Sequence, residues 1–286
     1  MPKWIVVATI AAVATVSGAQ DRPLPPAGAF LAQARLRLRS DRTLLSQYTY
    51  LMRTRVIHVS KLGKLEQGPE HLVQVYPGLR SRDNYQRLIA VDGQPRDPAQ
   101  LASDDQKHQK RVVAELAKRQ RESPADREKR LRLEAKEARD EAATIDDVFR
   151  IFDFQLVERQ PIEGHSTIVV AFTPRPDAEP RTDAGKVLKK TKGRAWVSED
   201  DFELARIEAE VLDDIPLGMF LLKFYKGTTL AFDRRKVNDE VWLPAQARIS
   251  LSGRALVRKF RIDTVIQYSD YRKFSVETDT VFKVPG

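Results

Sequence analysis

The sequence predicts an α+β protein built on a wide antiparallel sheet, and three observations carry that reading. From Gly193 to Phe274, short runs alternate apolar and polar residues with only brief turns between them, which is the pattern of a meander of antiparallel strands. Asp97-Pro98 and Ser123-Pro124 each place a capping residue before a Pro suited to the first helical position, so helices interrupt the strands. The strands are also one-sided: Ala205, Ile207, Ala209 and Val211 alternate with Leu204, Arg206, Glu208 and Glu210. A sheet with one continuous apolar face must cover it with helices or with something it binds.

At the N-terminus, Lys3 precedes the uncharged apolar run Trp4 to Val16, and Ser17-Gly18-Ala19 supplies small residues. This predicts a signal peptide over 1–19, cleaved after Ala19 to leave a mature start at Gln20, because the run is short for a membrane span. A soluble periplasmic protein is expected, with secretion as the other export outcome. The 286 residues contain no Cys, which excludes disulfides, a lipid-modified cysteine and thiolate metal sites. No tandem repeat is visible, and residues 20–286 read as a single elaborated domain. There are 49 Lys and Arg against 40 Asp and Glu, a formal net charge of +9. In a cytosolic chain that would suggest nucleic acid; the export signal argues against it.

The elements follow in order. Pro23, Pro25, Pro26 and Gly28 lead into an amphipathic helix in which Arg35, Arg37, Arg39 and Arg42 lie among Phe30, Leu31, Ala34, Leu38 and Leu45. Its basic face is either simply solvated or makes transient contact with an anionic membrane surface, for which a scattered excess of charge is weaker support than a compact cluster. Strands are predicted over Tyr48–Val59, Leu72–Tyr76 and Arg87–Val91, the last two ended by Pro77-Gly78 and Asp92-Gly93. Arg53 and Arg55 in the first strand either point into a cavity, where they would hold an anionic or carbonyl group, or face water, as Arg usually does.

A charged helical hairpin is then predicted as an insertion over about 97–152, joined near Glu122. Its second helix carries a narrow stripe, Leu131, Ala135, Ala138, Ala142, Ile145, Phe149 and Phe152, although Thr144 with Asp147 would cap a fresh helix. Such a hairpin is an inserted arm or a short coiled coil that recruits a partner. Phe154–Arg159 and Thr167–Phe172 resume the sheet around Glu163-Gly164, and Thr182–Lys192 reads as a short helix after a loop. In the closing strands, Ala245, Ala247, Ile249 and Leu251 alternate with Gln246, Arg248 and Ser250. Phe260, Ile262, Thr264, Ile266 and Tyr268 do the same against Lys259, Arg261, Asp263, Val265 and Gln267.

Residues with catalytic chemistry form no pattern. His58, His71, His108 and His165 are far apart and outside any His-Glu metal motif. Ser166 follows Gly164-His165 without a nucleophile elbow, and no glycine-rich phosphate loop occurs. Asp146-Asp147, Asp200-Asp201 and Asp213-Asp214 sit at predicted turns or helix starts, where Asp serves capping and turn hydrogen bonds. Neither an enzyme nor a metal nor a cofactor is expected.

Gly193-Arg194-Ala195-Trp196-Val197-Ser198 followed by Leu204-Ala205-Arg206-Ile207-Glu208 resembles the strand-turn-strand segment of outer-membrane lipoprotein-sorting-like proteins, the LolA/LolB-type superfamily. Trp242-Leu243-Pro244 and Tyr268-Ser269-Asp270-Tyr271-Arg272-Lys273-Phe274 extend the resemblance, which is best over 164–274. It implies an antiparallel half-barrel, an incomplete β-barrel with helices on its concave side, that accepts acyl chains of a lipid or lipoprotein. The charged hairpin exceeds what a minimal carrier needs, and the missing Cys excludes a lipid-anchored receptor. The same fold also serves periplasmic sensors of envelope stress that bind a protein partner.

The expected function is therefore non-enzymatic binding of a hydrophobic ligand in the periplasm, with lipoprotein sorting or transport as the setting; the alternative is a sensor that binds an envelope protein. The candidate ligand-facing residues are Ala205, Ile207, Ala209, Val211, Phe232, Ala247, Ile249, Phe260, Ile262 and Ile266. The competing reading is that these residues are core packed beneath helices.

Overall fold

The computed structural model describes residues 22–38, 44–59, 64–78, 84–217, 222–256 and 258–273. The expected signal peptide, its cleavage site, Arg39 and Arg42 lie outside the described residues. The chain runs α1 (Ala27–Arg37), β1 (Tyr48–Val59), β2 (Leu65–Gln67), β3 (His71–Tyr76), β4 (Tyr85–Val91), β5 (Gln94–Pro95), α2 (Pro98–Gln120), α3 (Pro124–Ile151), β6 (Phe152–Ile162), β7 (His165–Pro174) and α4 (Asp183–Leu188). It continues through β8 (Thr191–Ser198), β9 (Leu204–Val211), β10 (Ile215–Leu217), β11 (Leu222–Phe224), β12 (Thr229–Val237), β13 (Val241–Ala255) and β14 (Arg258–Lys273).

The strands form one sheet in the order β5-β4-β3-β1-β14-β13-β12-β9-β8-β7-β6, with β2, β10 and β11 as side branches. Neighbouring strands are antiparallel throughout. The first strand pairs with the last, so the two ends of the chain meet in mid-sheet, while β5 and β6 remain as edges that do not join. The result is an open α+β half-barrel.

In this topology the helical segment is the connection between the two edge strands. Both of its helices begin where their caps predict: the Asp97 carboxylate accepts from the Ala99 N–H at 2.7 Å and the Ser123 hydroxyl from the Asp126 N–H at 3.1 Å. The helix α3 runs unbroken to Ile151, and the Thr144 hydroxyl donates back to the Asp140 carbonyl instead of capping a new helix. The two helices form the expected inserted hairpin, joined at residues 121–123. Arg130 reaches Glu122 at 3.0 Å across the joint. Val113 and Leu131 are left 58% and 49% exposed.

Each helix is anchored at the end away from the joint. At the base of α2, Asp105 takes a two-pronged hydrogen bond from Arg87 at 2.9 and 3.0 Å and another from the Tyr85 hydroxyl at 2.7 Å, while His108 stacks on the Tyr85 ring at 4.0 Å. At the end of α3, the fully buried Asp147 accepts from the backbone N–H groups of Arg181 and Thr182 and from the Thr182 hydroxyl. This pins the start of α4, and Gly185 is needed there because a Cβ would lie 2.2 Å from the Asp147 Oδ2. Burial pushes the Asp147 carboxyl up, but the Arg181 and Thr182 donors, with Arg150 nearby, outweigh burial and hold its pKa below the ordinary value.

Phe30 of α1 packs on Ile168, Val170 and Val197, and Ile151 packs with Phe152 and Phe172, with Leu188 of α4 alongside. Together these cover one face of β6 to β9. Arg159, buried between strands, binds Glu199 at 2.7 Å and the Arg22 carbonyl at 2.7 Å, fixing the lead-in to α1.

Candidate functional site

The apolar face is organised by register rather than by any one strand. Ile207, Phe232, Ala247 and Ile266 are successive partners across β9, β12, β13 and β14, forming one continuous row. The next row runs Gly193, Ala209, Leu230, Ile249 and Thr264. Ile262 pairs with Leu251 and Phe260 with Gly253 toward the hairpin end, and Val211 pairs with Thr191. Gly193 has a steric reason: a Cβ there would lie 1.9 Å from the Glu208 carbonyl oxygen and 2.7 Å from the Phe172 ring. Leu230, absent from the candidate residues, completes the second row.

Ala205 departs from the alternation. The register between β8 and β9 slips between Trp196 and Val197, and Ala205 is fully buried in a cluster with Ile162, Val169, Trp196 and Trp242. A bulge turns a side chain away from the face its position in the sequence predicts. Ala205 is thus core, separate from the cluster that Ile207 and Ala209 join.

Burial divides the rest. Val211 and Ala247 are buried, whereas Ile207, Ala209, Phe232, Ile249, Phe260, Ile262 and Ile266 are only partly so, and Leu230 is 38% exposed. Ile207 and Ala209 pack against the same Ile151, Phe152 and Phe172 cluster as Val148 and Leu188. The helical residues Leu44 and Leu45 pack on Val237, Val241, Leu243 and Tyr271 at one end of β12–β14, whereas Phe232, Ile249, Phe260, Ile262 and Ile266 join no buried cluster among the described residues. A groove of about 660 Å³ crosses β7 to β9 and β12 to β14, lined along the second row by Ala209, Leu230 and Ile249. Of the candidate residues only Ala209 and Ile249 line it; Lys192, Arg194, Arg248, Glu208, Glu210 and Asp263 flank the second row from the alternate, polar positions of the same strands.

On the polar side, Asp233 bridges Arg206 at 2.5 Å and Arg248 at 3.4 Å, and Arg206 lies over the Trp196 ring. Arg53 and Arg55 both close on Glu70, at 2.6 and 2.5 Å. Hydrogen bonds from Arg55 and then Arg53 hold the Glu70 carboxyl below its ordinary pKa. Both arginines are half-exposed and share the one Glu70 carboxylate, so they form a surface clamp that positions the turn before β3.

Among the described residues no cluster of His, Asp or Glu could hold a metal ion, and no helix is long and apolar enough to cross a membrane. His165 meets the Trp242 ring and His58 approaches Glu66, so the histidines do not converge.

An open antiparallel half-barrel with a helix-covered and an uncovered apolar region is the class of protein these elements define. The chain is similar to the solved structure of a LolA superfamily protein from Nitrosomonas europaea, at 10% identity over 88% of this chain and 96% of that one, with a TM-score of 0.28. An outer membrane lipoprotein-sorting protein domain from Vibrio parahaemolyticus is similar at 10% identity over 89% and 95%, with a TM-score of 0.30. The Pseudomonas aeruginosa MucA/MucB complex includes a chain similar at 11% identity over 87% and 99%, with a TM-score of 0.23. No protein-family model matches the chain, and no curated protein matches it in sequence.

Proposed function

We propose that the protein is a non-enzymatic binding protein of the bacterial envelope, exported to the periplasm, that accommodates an acyl chain of a lipid or lipoprotein on the apolar face of β9 and β12–β14. One observation carries this reading: Phe232, Ile249, Phe260, Ile262 and Ile266 are only partly buried and join no buried cluster among the described residues, and Leu230 between them is exposed. Apolar area left open in a folded protein favours an apolar occupant, at about 25 cal/mol per Å² buried.

A second reading, a sensor that grips a protein partner, is favoured by the arm. Val112, Val113 and Leu116 on α2 and Leu131 and Leu133 on α3 are exposed, and side chains of that kind bind well to another protein.

A fluorescent fatty acid titrated into the purified protein tests the first reading. Binding is expected, with displacement by phospholipid. Leu230→Asp should weaken it, and Ala209→Trp should block it with little loss of stability. Absence of binding, together with destabilisation by Ala209→Trp of about 1–3 kcal/mol, would mean the face is filled core and would leave the arm as the binding surface.

A further inference from the structure

The tip of the β13–β14 hairpin breaks two folding rules at once. Ala255 pairs with Arg258, so two positions separate the paired strands, the first of them Leu256. Two-residue hairpin loops favour Gly, Asn or Asp because positive φ is required there. Here Leu256 takes φ +53°, a conformation costly for a large side chain, and it stands 63% exposed. Its neighbours break the second rule. Lys223 pairs with Arg254 and Arg254 with Lys259, which places three basic residues in one row across β11, β13 and β14. Like charges directly opposite one another destabilise a sheet.

Internal partners relieve only Lys223. Lys223 reaches Asp214 at 2.7 Å and Arg261 approaches Asp263 at 3.8 Å. Arg254, Arg258 and Lys259 are exposed and form no ion pair with a carboxylate among the described residues. A strained, exposed Leu ringed by uncompensated positive charge is unfavourable for folding alone, and backbone strain of this kind concentrates at functional positions.

We infer that this hairpin tip docks on an anionic phospholipid bilayer, with Arg254, Arg258 and Lys259 among the head groups and Leu256 reaching the acyl boundary. Charge alone would suit any polyanion; an apolar side chain at the apex of the basic cluster selects a surface that is anionic outside and apolar just beneath. The basic residues here are compact, unlike the scattered arginines of α1. The tip lies at the far end of the strands that carry the open apolar face, so docking would bring that face toward lipid. The inference holds whatever ligand the face binds.

Vesicle co-sedimentation of the full chain tests it, comparing phosphatidylcholine alone with phosphatidylcholine plus phosphatidylglycerol. Binding should require the anionic lipid and weaken with salt. Each basic residue near such a surface strengthens binding about fivefold, so replacing Arg254, Arg258 and Lys259 with Gln should lower it about a hundredfold. The decisive variant is Leu256→Gly. It relieves the positive φ, so it should raise the melting temperature while reducing vesicle binding about tenfold. Equal binding to neutral vesicles, or a triple variant that binds like the wild type, would overturn the inference. Full vesicle binding by Leu256→Gly would also overturn it, leaving a general polyanion surface. Fatty-acid probe binding should be unchanged in these variants, which separates this test from that of the open face.

Discussion

Removing the Asp147 carboxylate should release α4 from the apolar face. In the native protein this group has no exposed surface and accepts from the Arg181 N–H at 2.9 Å, the Thr182 N–H at 2.8 Å and the Thr182 hydroxyl at 2.8 Å. Asp147→Ala orphans all three donors. At the lower bound of about 1 kcal/mol for each buried donor left unsatisfied, the loss is about 3 kcal/mol, a large part of a typical stability of 5–15 kcal/mol. In urea titrations the midpoint should fall with little change in slope. Asp147→Asn, which keeps one acceptor oxygen, should fall between. The pH dependence has a definite sign. Because the folded pKa is held below the ordinary 3.8, the contribution is present above that value and lost as pH falls through the lower folded value. The alanine variant should lack that acid-dependent component. A loss below about 1 kcal/mol, or an unchanged acid profile, would show that the carboxylate does not carry the attachment of α4.

Three further outcomes are expected. Burial, and then repulsion from Arg111, lower the His108 pKa against the opposing pull of Asp105, with Tyr85 stacked on the ring. Stability should therefore decline as pH drops below the ordinary 6.5, and His108→Phe should flatten the melting temperature over that range, which a pH series of thermal melts would detect. A specific protease site placed at the joint between α2 and α3 should yield two fragments that stay together on gel filtration, because β1 of one pairs with β14 of the other; fragments that separate would contradict the topology. Gly193→Val should prevent folding or cost at least about 3 kcal/mol by overpacking, since its Cβ would meet the Glu208 carbonyl; circular dichroism and urea titration measure it.

The sequence by itself determined the local rules. Alternation marked β9, β13 and β14, and Asp97 and Ser123 marked the starts of α2 and α3, because side-chain period and end capping depend on residues only a few positions apart. Such patterns could not show that Ala205 turns into the Trp196–Trp242 core, since the bulge that moves it is set by the pairing of β8 with β9. Leu230 was missed for a related reason: its strand has little alternation of its own, and its place in the row comes from Ala209 and Ile249 on either side. The segment about 97–152 read as an inserted charged hairpin; the strand order adds that it links the two open edges of the sheet, with Asp105 and Asp147 tying its ends to β4 and α4. Tertiary structure decided which part of the apolar face stays outside the buried clusters, because burial depends on elements far apart in the chain meeting in space. It also gathered Lys223, Arg254, Arg258 and Lys259 around Leu256, a charge cluster spread over more than thirty positions in sequence and brought together by strand register alone.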